Sequence, residues 1–234
     1  MKRYLPVALL VLLAAAGCVN ASDQSAAASS DATADDSDLH SVNGSIHVLA
    51  GRKSVDAGTV NGNIRVDDGA AVAAAHTVNG DIRIGAHATV ASLHTVNGAI
   101  TLGAGAEVKE TASTVNGELE IGNEARVGGA VSTVNGKIVL TSAVVSGGIA
   151  TVNGDINLKG SSHVAGGIVV RREHSSGWFN FERHVPRIVI GPGATVQGEM
   201  RFERKVDLYV SDRATIGAVV GATAIPFSGE TPPP

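Results

Sequence analysis

The chain has 234 residues, a formal net charge of −4, one cysteine and 29 glycines, and only 3% of its residues are aromatic. A disulfide scaffold needs more cysteines, a nucleic-acid-binding protein is usually basic, and a disordered chain lacks the abundant aliphatic residues present here. Apart from Tyr4, every aromatic residue lies at position 178 or later. The long segment before it must build its core from small aliphatic side chains, which favours thin, stacked β coils.

The chain begins with a segment typical of a secretory signal. Lys2 and Arg3 precede an apolar run from Leu5 to Ala16, and small residues lead up to Cys18. This order of charge, short apolar run and small residues predicts a signal peptide over residues 1–17. The run is too short to span a bilayer as a stable helix.

The same segment resembles a bacterial lipoprotein signal, in which the cysteine is lipidated and becomes the first residue of the mature chain. The resemblance implies a lipid anchor at Cys18, with an ordinary signal peptide as the alternative. Because Val19 rather than aspartate follows the cysteine, it also implies the outer membrane, facing the periplasm, with surface display as a variant. Acyl chains add about 0.8 kcal/mol of membrane affinity per buried methylene.

The cysteine expected to carry the lipid opens a polar segment, residues 18–40, that is rich in alanine, serine and aspartate. Such a composition cannot bury enough apolar area to offset the entropy of ordering, so we interpret the segment as a flexible acidic tether. Without Lys2 and Arg3 the chain is more acidic still. This balance argues against binding to nucleic acid or to anionic lipid by charge.

A tetrapeptide of the form Ser/Thr-Val-Asn-Gly recurs seven times within residues 41–170, at intervals of 18 or 19 residues. Its asparagines are Asn43, Asn61, Asn79, Asn97, Asn116, Asn135 and Asn153. Its glycines are Gly44, Gly62, Gly80, Gly98, Gly117, Gly136 and Gly154. A fixed period of this size is the signature of a solenoid.

Alternating aliphatic residues follow each tetrapeptide, as in Ile64/Val66, and an Ala-x-Val pair such as Ala70/Val72 comes next. Period-2 alternation predicts short strands with one buried face. We therefore expect an all-β, single-stranded parallel β-helix of about nine coils, each of 18–20 residues and three short sides. Stacking places equivalent residues about 4.8 Å apart, so the asparagines should form a hydrogen-bonded ladder.

A hairpin meander is the competing interpretation, because Asn-Gly is a strong hairpin signal. In a two-residue hairpin the valine would share a face with mostly polar partners such as Asn63 and Asp81. We expect the valine to face inward, and the solenoid allows this. In the predicted coil, glycine supplies a positive φ at a sharp corner, and the threonines and asparagines point outward.

The pattern breaks after residue 170. Residues 171–185 form a polar and aromatic insertion, residues 186–225 resume the strand pattern as terminal coils, and residues 226–234 form a proline-rich tail. Exposed aromatic and arginine side chains are typical of binding hot spots. We expect the insertion either to bind a partner or to cover the solenoid, through Arg171, Arg172, Trp178, Phe179, Phe181 and Arg183.

The strand repeats resemble those of bacterial β-strand-repeat adhesin-like families. The segment Ile188 to Gly198 is similar to bactofilins, the polymer-forming β-helices. These resemblances cover about residues 42–222 and imply a right-handed β-helix, possible end-to-end self-association, and no active site. They favour a non-enzymatic envelope lipoprotein acting as a scaffold or adhesin-like module toward an unknown envelope protein or polysaccharide. A bactofilin-like self-polymerising protein is the alternative.

Other activities have weaker support. A hexapeptide-type acyltransferase needs a sixfold repeat, whereas the period here is 18–19 residues. An ice- or sugar-binding solenoid would use the threonine column as a flat exposed face. His76 and His94 occupy equivalent positions, but Gly58 and Ala112 supply no third ligand, so we expect no metal site and no cofactor.

Overall fold

Buried and exposed residues alternate along short strands. Ile64 and Val66 are buried while Arg65 between them is exposed, and the same pattern recurs at Ile82 and Ile84. The computed structural model describes residues 38–172 and 184–233. No helix among these residues is long and apolar enough to cross a membrane. The elements of this part of the chain are strands, and the sequence-based prediction of an all-β parallel solenoid is confirmed.

In chain order the strands are β1 (Leu39–Ser41), β2 (Ile46–Val48), β3 (Lys53–Asn61), β4 (Ile64–Val66), β5 (Ala71–Asn79), β6 (Ile82–Ile84), β7 (Thr89–Asn97), β8 (Ile100–Leu102), β9 (Glu107–Val108), β10 (Ala112–Asn116), β11 (Leu119–Ile121), β12 (Arg126–Val127), β13 (Val131–Ser132), β14 (Ile138–Thr141), β15 (Val144–Val145), β16 (Ile149–Thr151), β17 (Ile156–Lys159), β18 (His163–Val164), β19 (Ile168–Val170), β20 (Arg187–Ile190), β21 (Thr195–Val196), β22 (Met200–Phe202), β23 (Asp207–Ser211), β24 (Thr215–Ile216), β25 (Val219–Val220) and β26 (Ala224–Phe227).

The strands stack in register on three faces, and each pairs in parallel with its equivalent in the next coil. Face 1 is a ten-stranded sheet that runs from β2 to β26. A sixteen-stranded sheet supplies the other two faces. Face 2 carries β9, β12, β15, β18, β21 and β24, and face 3 carries β1, β10, β13, β16, β19, β22 and β25.

The strands β3, β5 and β7 belong to both face 2 and face 3, because each runs for nine residues without a break. In the next coil an extra residue separates Val108 from Ala112, and the long strand divides into β9 and β10. The extra residue between faces 2 and 3 coincides with the division of the long strand into two short ones.

The core is a column of small aliphatic side chains that runs through the coils. One coil contributes Ile64, Val66, Ala70, Val72, Ala75 and Thr77, all buried. Rings enter the core only near the end of the described residues, where Phe202 and Phe227 are buried. The expected thin, aromatic-free core is therefore present in the coils that precede the insertion.

Ten strands on face 1 define ten coils, rather than the nine expected. The additional strand is β26, in which Pro226 lies opposite Val210, so the sheet extends into the segment expected to be a tail. At the other end β1 starts at Leu39, inside the expected tether. At about 4.8 Å per coil the rod is about 45 Å long. The strand pairing does not specify handedness, so the right-handed sense stays a prediction.

Proline is tolerated in β26 because the N–H group that it lacks would have no partner strand to bond. Inward residues of face 1 donate to the following coil, as Ile64 N does to Asp81 O at 2.9 Å. Pro226 is exposed but takes the register of Val210, so its missing N–H is one that would face the open end of the sheet. Proline on an edge strand removes a donor for further strand pairing.

Candidate functional site

The threonine of each tetrapeptide is buried, and the valine beside it faces solvent. Thr77 is 2% exposed whereas Val78 is 41% exposed. The expectation that valine points inward and threonine outward is therefore wrong. The physical reason is that the buried hydroxyl has an acceptor: Thr77 Oγ1 donates to Gly62 O at 3.0 Å, in the coil before.

The same bond recurs along the column. The donors are Thr59, Thr77, Thr95, Thr114 and Thr133, and the acceptors are the carbonyl oxygens of Gly44, Gly62, Gly80, Gly98 and Gly117. A buried hydroxyl without a partner would be costly, but here it is satisfied while its methyl group packs in the core. The flat threonine face required for the ice-binding hypothesis does not exist.

The asparagines form a continuous ladder of side-chain amides. Each Nδ2 donates to the Oδ1 of the asparagine one coil earlier, at distances of 2.8–3.0 Å, from Asn153 back to Asn43. All six bonds point the same way, so their dipoles add and each bond polarises the next. A neutral hydrogen bond contributes about 1 kcal/mol net.

From Gly62 onward, the glycine after each asparagine is required by close packing and not by its backbone conformation. None of the seven is among the described residues with positive φ, which corrects the expected corner geometry. Instead, a Cβ added at Gly98 would lie 1.9 Å from Gly80 O, the oxygen that accepts the hydrogen bond from Thr95. The side chain is absent so that successive corners can stack.

Left-handed backbone occurs at a different corner, between face 1 and face 2. Gly69 and Gly105 hold it with φ of 67° and 65°, and His87, Glu124 and Ser142 hold it in other coils. Left-handed backbone costs roughly 1–2 kcal/mol in a residue with a side chain. The residues that carry this strain are thus not those of the recurring tetrapeptide.

Arg204 terminates the asparagine ladder. The last asparagine, Asn153, donates to Asn135, and its Oδ1 accepts a short hydrogen bond from Arg204 Nη1. The same guanidinium group donates to Val152 O at 3.0 Å and to His184 O at 2.9 Å. A charged donor at the acceptor end of an aligned amide chain makes a stronger bond than a neutral one.

Arg204 also connects the ladder to the insertion, whose two ends are held on the solenoid. At the first end, Arg172 N donates to Glu203 Oε2 at 3.2 Å. At the second, Asp155 Oδ1 accepts from Arg187 N at 2.8 Å and lies 2.9 Å from His184 Nε2. Ile156 pairs with Ile188 directly although 32 residues separate equivalent positions here, so the insertion leaves and rejoins the stack at fixed points.

A groove of about 540 Å³ lies on face 1 beside the second end of the insertion. The C-terminal segment forms one wall, because Arg187 Nη2 donates to Pro233 O at 2.6 Å and Arg213 bonds Glu230 at 2.7 Å. Arg187 also stacks 4.7 Å above the Tyr209 ring. The groove brings together the side chains of Lys137, Lys159 and Arg187 with those of Asp155 and Glu230.

Several residues predicted as site residues lie outside the described part of the chain. They are Cys18 together with Trp178, Phe179, Phe181 and Arg183. Arg171 and Arg172 are described, and both are exposed at the first end of the insertion. Arg204 was not anticipated, because its partners lie up to 52 residues away and no local motif marks it.

The column of equivalent positions that holds His76 and His94 also includes His40. His40 pairs in register with Gly58, Gly58 with His76, and His76 with His94. The position after His94 is Ser113, not Ala112, because that coil has one more residue, and His94 Nδ1 lies 2.8 Å from Ser113 Oγ. Burial, followed by the nearby charge of His76, lowers the pKa of His94.

Other titratable groups are exposed on the coil surfaces. His47 Nε2 lies 2.7 Å from Asp67 Oδ1, and this hydrogen bond, with a weaker one from Arg65, holds the pKa of Asp67 below its usual value. Within residues 38–172 and 184–233 no group of three or more His, Cys, Asp or Glu side chains is placed to hold a metal ion.

These observations define the class of the molecule: a three-faced parallel β-solenoid whose recurring tetrapeptide is a stacking element, with an insertion anchored near its C-terminal end. No protein-family model, no curated protein and no solved structure matches the chain.

Proposed function

We propose that the chain is a non-enzymatic cell-envelope lipoprotein whose solenoid serves as a rigid scaffold or adhesin-like interaction module. One observation carries the proposal: each polar member of the recurring tetrapeptide is engaged in stacking. In five repeats threonine bonds the preceding corner, asparagine bonds asparagine along the whole column, and glycine admits close approach. Although most of the asparagine side chains are exposed, their amides bond one another along the column, which supports a structural role for the repeat.

The proposed localisation to the cell envelope depends on Cys18. We expect a Cys18→Ser variant to lose incorporation of labelled fatty acid and to leave the membrane fraction, since the anchor supplies the membrane affinity. The matched control is Ser25→Ala, which alters the tether and leaves the cysteine. Unchanged fatty-acid labelling and membrane retention of Cys18→Ser would contradict lipid anchoring at this residue.

The insertion is our candidate for the element that contacts a partner, an envelope protein or polysaccharide. Anchoring of both ends by Arg172, His184 and Arg204 supports it, because a fixed base lowers the entropy lost on binding. The test replaces Trp178, Phe179 and Phe181 with alanine and compares crosslinked partners from intact envelopes. Loss of a specific crosslink at an unchanged Tm supports a contact site, whereas a lowered Tm with the same crosslinks indicates a cover.

Self-association into filaments is the second candidate, and the edges of face 1 bear on it. Strand β2 pairs with β4 and β26 pairs with β23, so each leaves an edge of the sheet. Pro226 removes a donor from the β26 edge, which favours addition through the β2 edge. Light scattering and electron microscopy of the purified chain distinguish the outcomes: concentration-dependent filaments support this candidate, and a stable monomer opposes it.

A further inference from the structure

Three histidines share one outward column of face 3 near the start of the solenoid. His40, His76 and His94 are exposed, and Gly58 occupies the one position between His40 and His76. His40 and His76 are two coils apart, which is about 9.6 Å along the stack. Their ring centroids are nevertheless only 6.2 Å apart, with the planes tilted by 49°. Both rings therefore lean toward the glycine between them.

Gly58 makes this approach possible. A Cβ built on Gly58 would lie 2.4 Å from His76 Nε2 and 2.9 Å from His40 Nδ1, so any side chain there would push the rings away. Gly58 is itself buried, although its column faces outward. In this column the coils on either side carry histidine, so the gap is filled by two imidazole groups whose nitrogen atoms converge on one point.

We propose that His40 and His76 bind a divalent transition-metal ion, of the zinc or copper class, between Nδ1 of one and Nε2 of the other. Imidazole nitrogen is a preferred ligand of these ions, with metal–nitrogen bonds of about 2.0–2.1 Å. Small rotations of the exposed rings bring both nitrogens to that distance, and water completes the coordination. Asp38 lies two residues before His40, is exposed, and adds negative potential.

The groups around the pair fit a cation better than an anion. His94 follows His76 in the column, and its Nδ1 is engaged by Ser113, so it is a neighbour and not one of the two ligands. On the other side of the column stand the valines, of which Val60 and Val78 are each 41% exposed. The described part of the column near the pair thus offers imidazole nitrogens to a metal ion.

The test is titration of the purified full chain with Cu²⁺ and with Zn²⁺, followed by calorimetry and, for copper, by the nitrogen couplings in its electron paramagnetic resonance spectrum. We expect one ion per chain with two imidazole nitrogens bound. His40→Ser and His76→Ser should each weaken binding by about tenfold or more, because each removes a ligand. Serine already occupies this column at position 113, so the fold should accept it.

Gly58→Ala is the most specific variant, because it keeps both histidines and places a methyl group between their nitrogens. We expect it to weaken binding to the level of His76→Ser with an unchanged circular dichroism spectrum. His163→Ser, on face 2 and away from the column, is the matched control and should bind normally. Affinity that is unchanged in His40→Ser, His76→Ser and Gly58→Ala alike, or that falls equally in the control, would overturn the proposal.

Discussion

The first seven coils and the last three are held together by different means. Before the insertion, a buried threonine, an asparagine ladder and close-packed glycines join each coil to the next. The threonine register changes to Val170 just before the insertion and to Phe202 after it, both in line with Thr151. Where the polar corner is lost, an apolar side chain fills the core, and arginine contacts replace the ladder.

Arg204 shows how the two regions meet. It lies two residues after Phe202, as Asn153 lies two residues after Thr151, so it occupies the asparagine position of a later coil. Its long side chain reaches back past one coil to Asn153 and ends the ladder there. The same column of equivalent positions can therefore hold either a repeated hydrogen-bonded corner or long-range side-chain contacts, and the coils stack in both cases.

The largest effect should come from the apolar region. Phe202→Ala removes a ring that is 4% exposed and leaves a cavity in a coil that has no asparagine ladder. We expect a loss of about 3–5 kcal/mol in the free energy of unfolding, measured by urea denaturation. A loss below that of a surface substitution such as Arg201→Ala would show that the apolar filling does not hold the last coils.

In the ladder region the corresponding change is Gly98→Ala. Its methyl group would sit 1.9 Å from Gly80 O, and the backbone on both sides is fixed by neighbouring coils. We expect a loss of about 1–3 kcal/mol from overpacking. The control is Gly44→Ala in the first coil, where the nearest atom is the Ser41 hydroxyl oxygen and a side-chain rotation relieves the contact. Equal losses at the two positions would contradict stacking as the reason for glycine.

A smaller effect is expected within the ladder itself. Asn97→Ala breaks two amide bonds, to Asn79 and from Asn116, whereas Asn43→Ala breaks one. At about 1 kcal/mol per bond, the central variant should lose more stability than the terminal one in chemical denaturation. Identical losses of stability in the two variants would show that stability does not depend on the number of ladder bonds an asparagine makes.

The smallest effect is a pH dependence at the surface. The lowered pKa of Asp67 means that its contribution to stability is present above the ordinary value of 3.8 and is lost as the pH falls through the folded-state pKa. Asp67→Asn should therefore lower Tm slightly at pH 7, and this difference should shrink as the pH falls below 3.8. A Tm difference that is constant across this range would exclude the carboxylate as its source.

The sequence predicted the architecture because a fixed period and alternating aliphatic residues define stacked strands. It did not predict the orientation of the tetrapeptide. Hydropathy places valine inside, but the partner that lets threonine be buried is a carbonyl 15 or 16 residues earlier in the chain. Because the valine faces solvent, its orientation does not exclude a hairpin; the parallel pairing of the strands excludes it.

The sites were harder to predict for a similar reason. His40 can be recognised as a member of the histidine column only when the interval of 18 residues is counted back from His76 past Gly58. Arg204 contacts residues on the far side of an insertion, so neither repeat spacing nor local composition reveals it. Spacing predicts which residues share a column, and contacts across an interruption need the folded structure.

In the six Thr-Val-Asn-Gly repeats threonine faces the core, and the valine beside it is more exposed. Thiol labelling tests this orientation directly in a Cys18→Ser background, with single cysteines placed at Thr77 or at Val78. Because residue 77 is 2% and residue 78 is 41% exposed, the Val78→Cys thiol should react at least about tenfold faster in the native protein. Both should react equally in denaturant. Faster labelling of Thr77→Cys than of Val78→Cys would contradict this orientation of the two side chains.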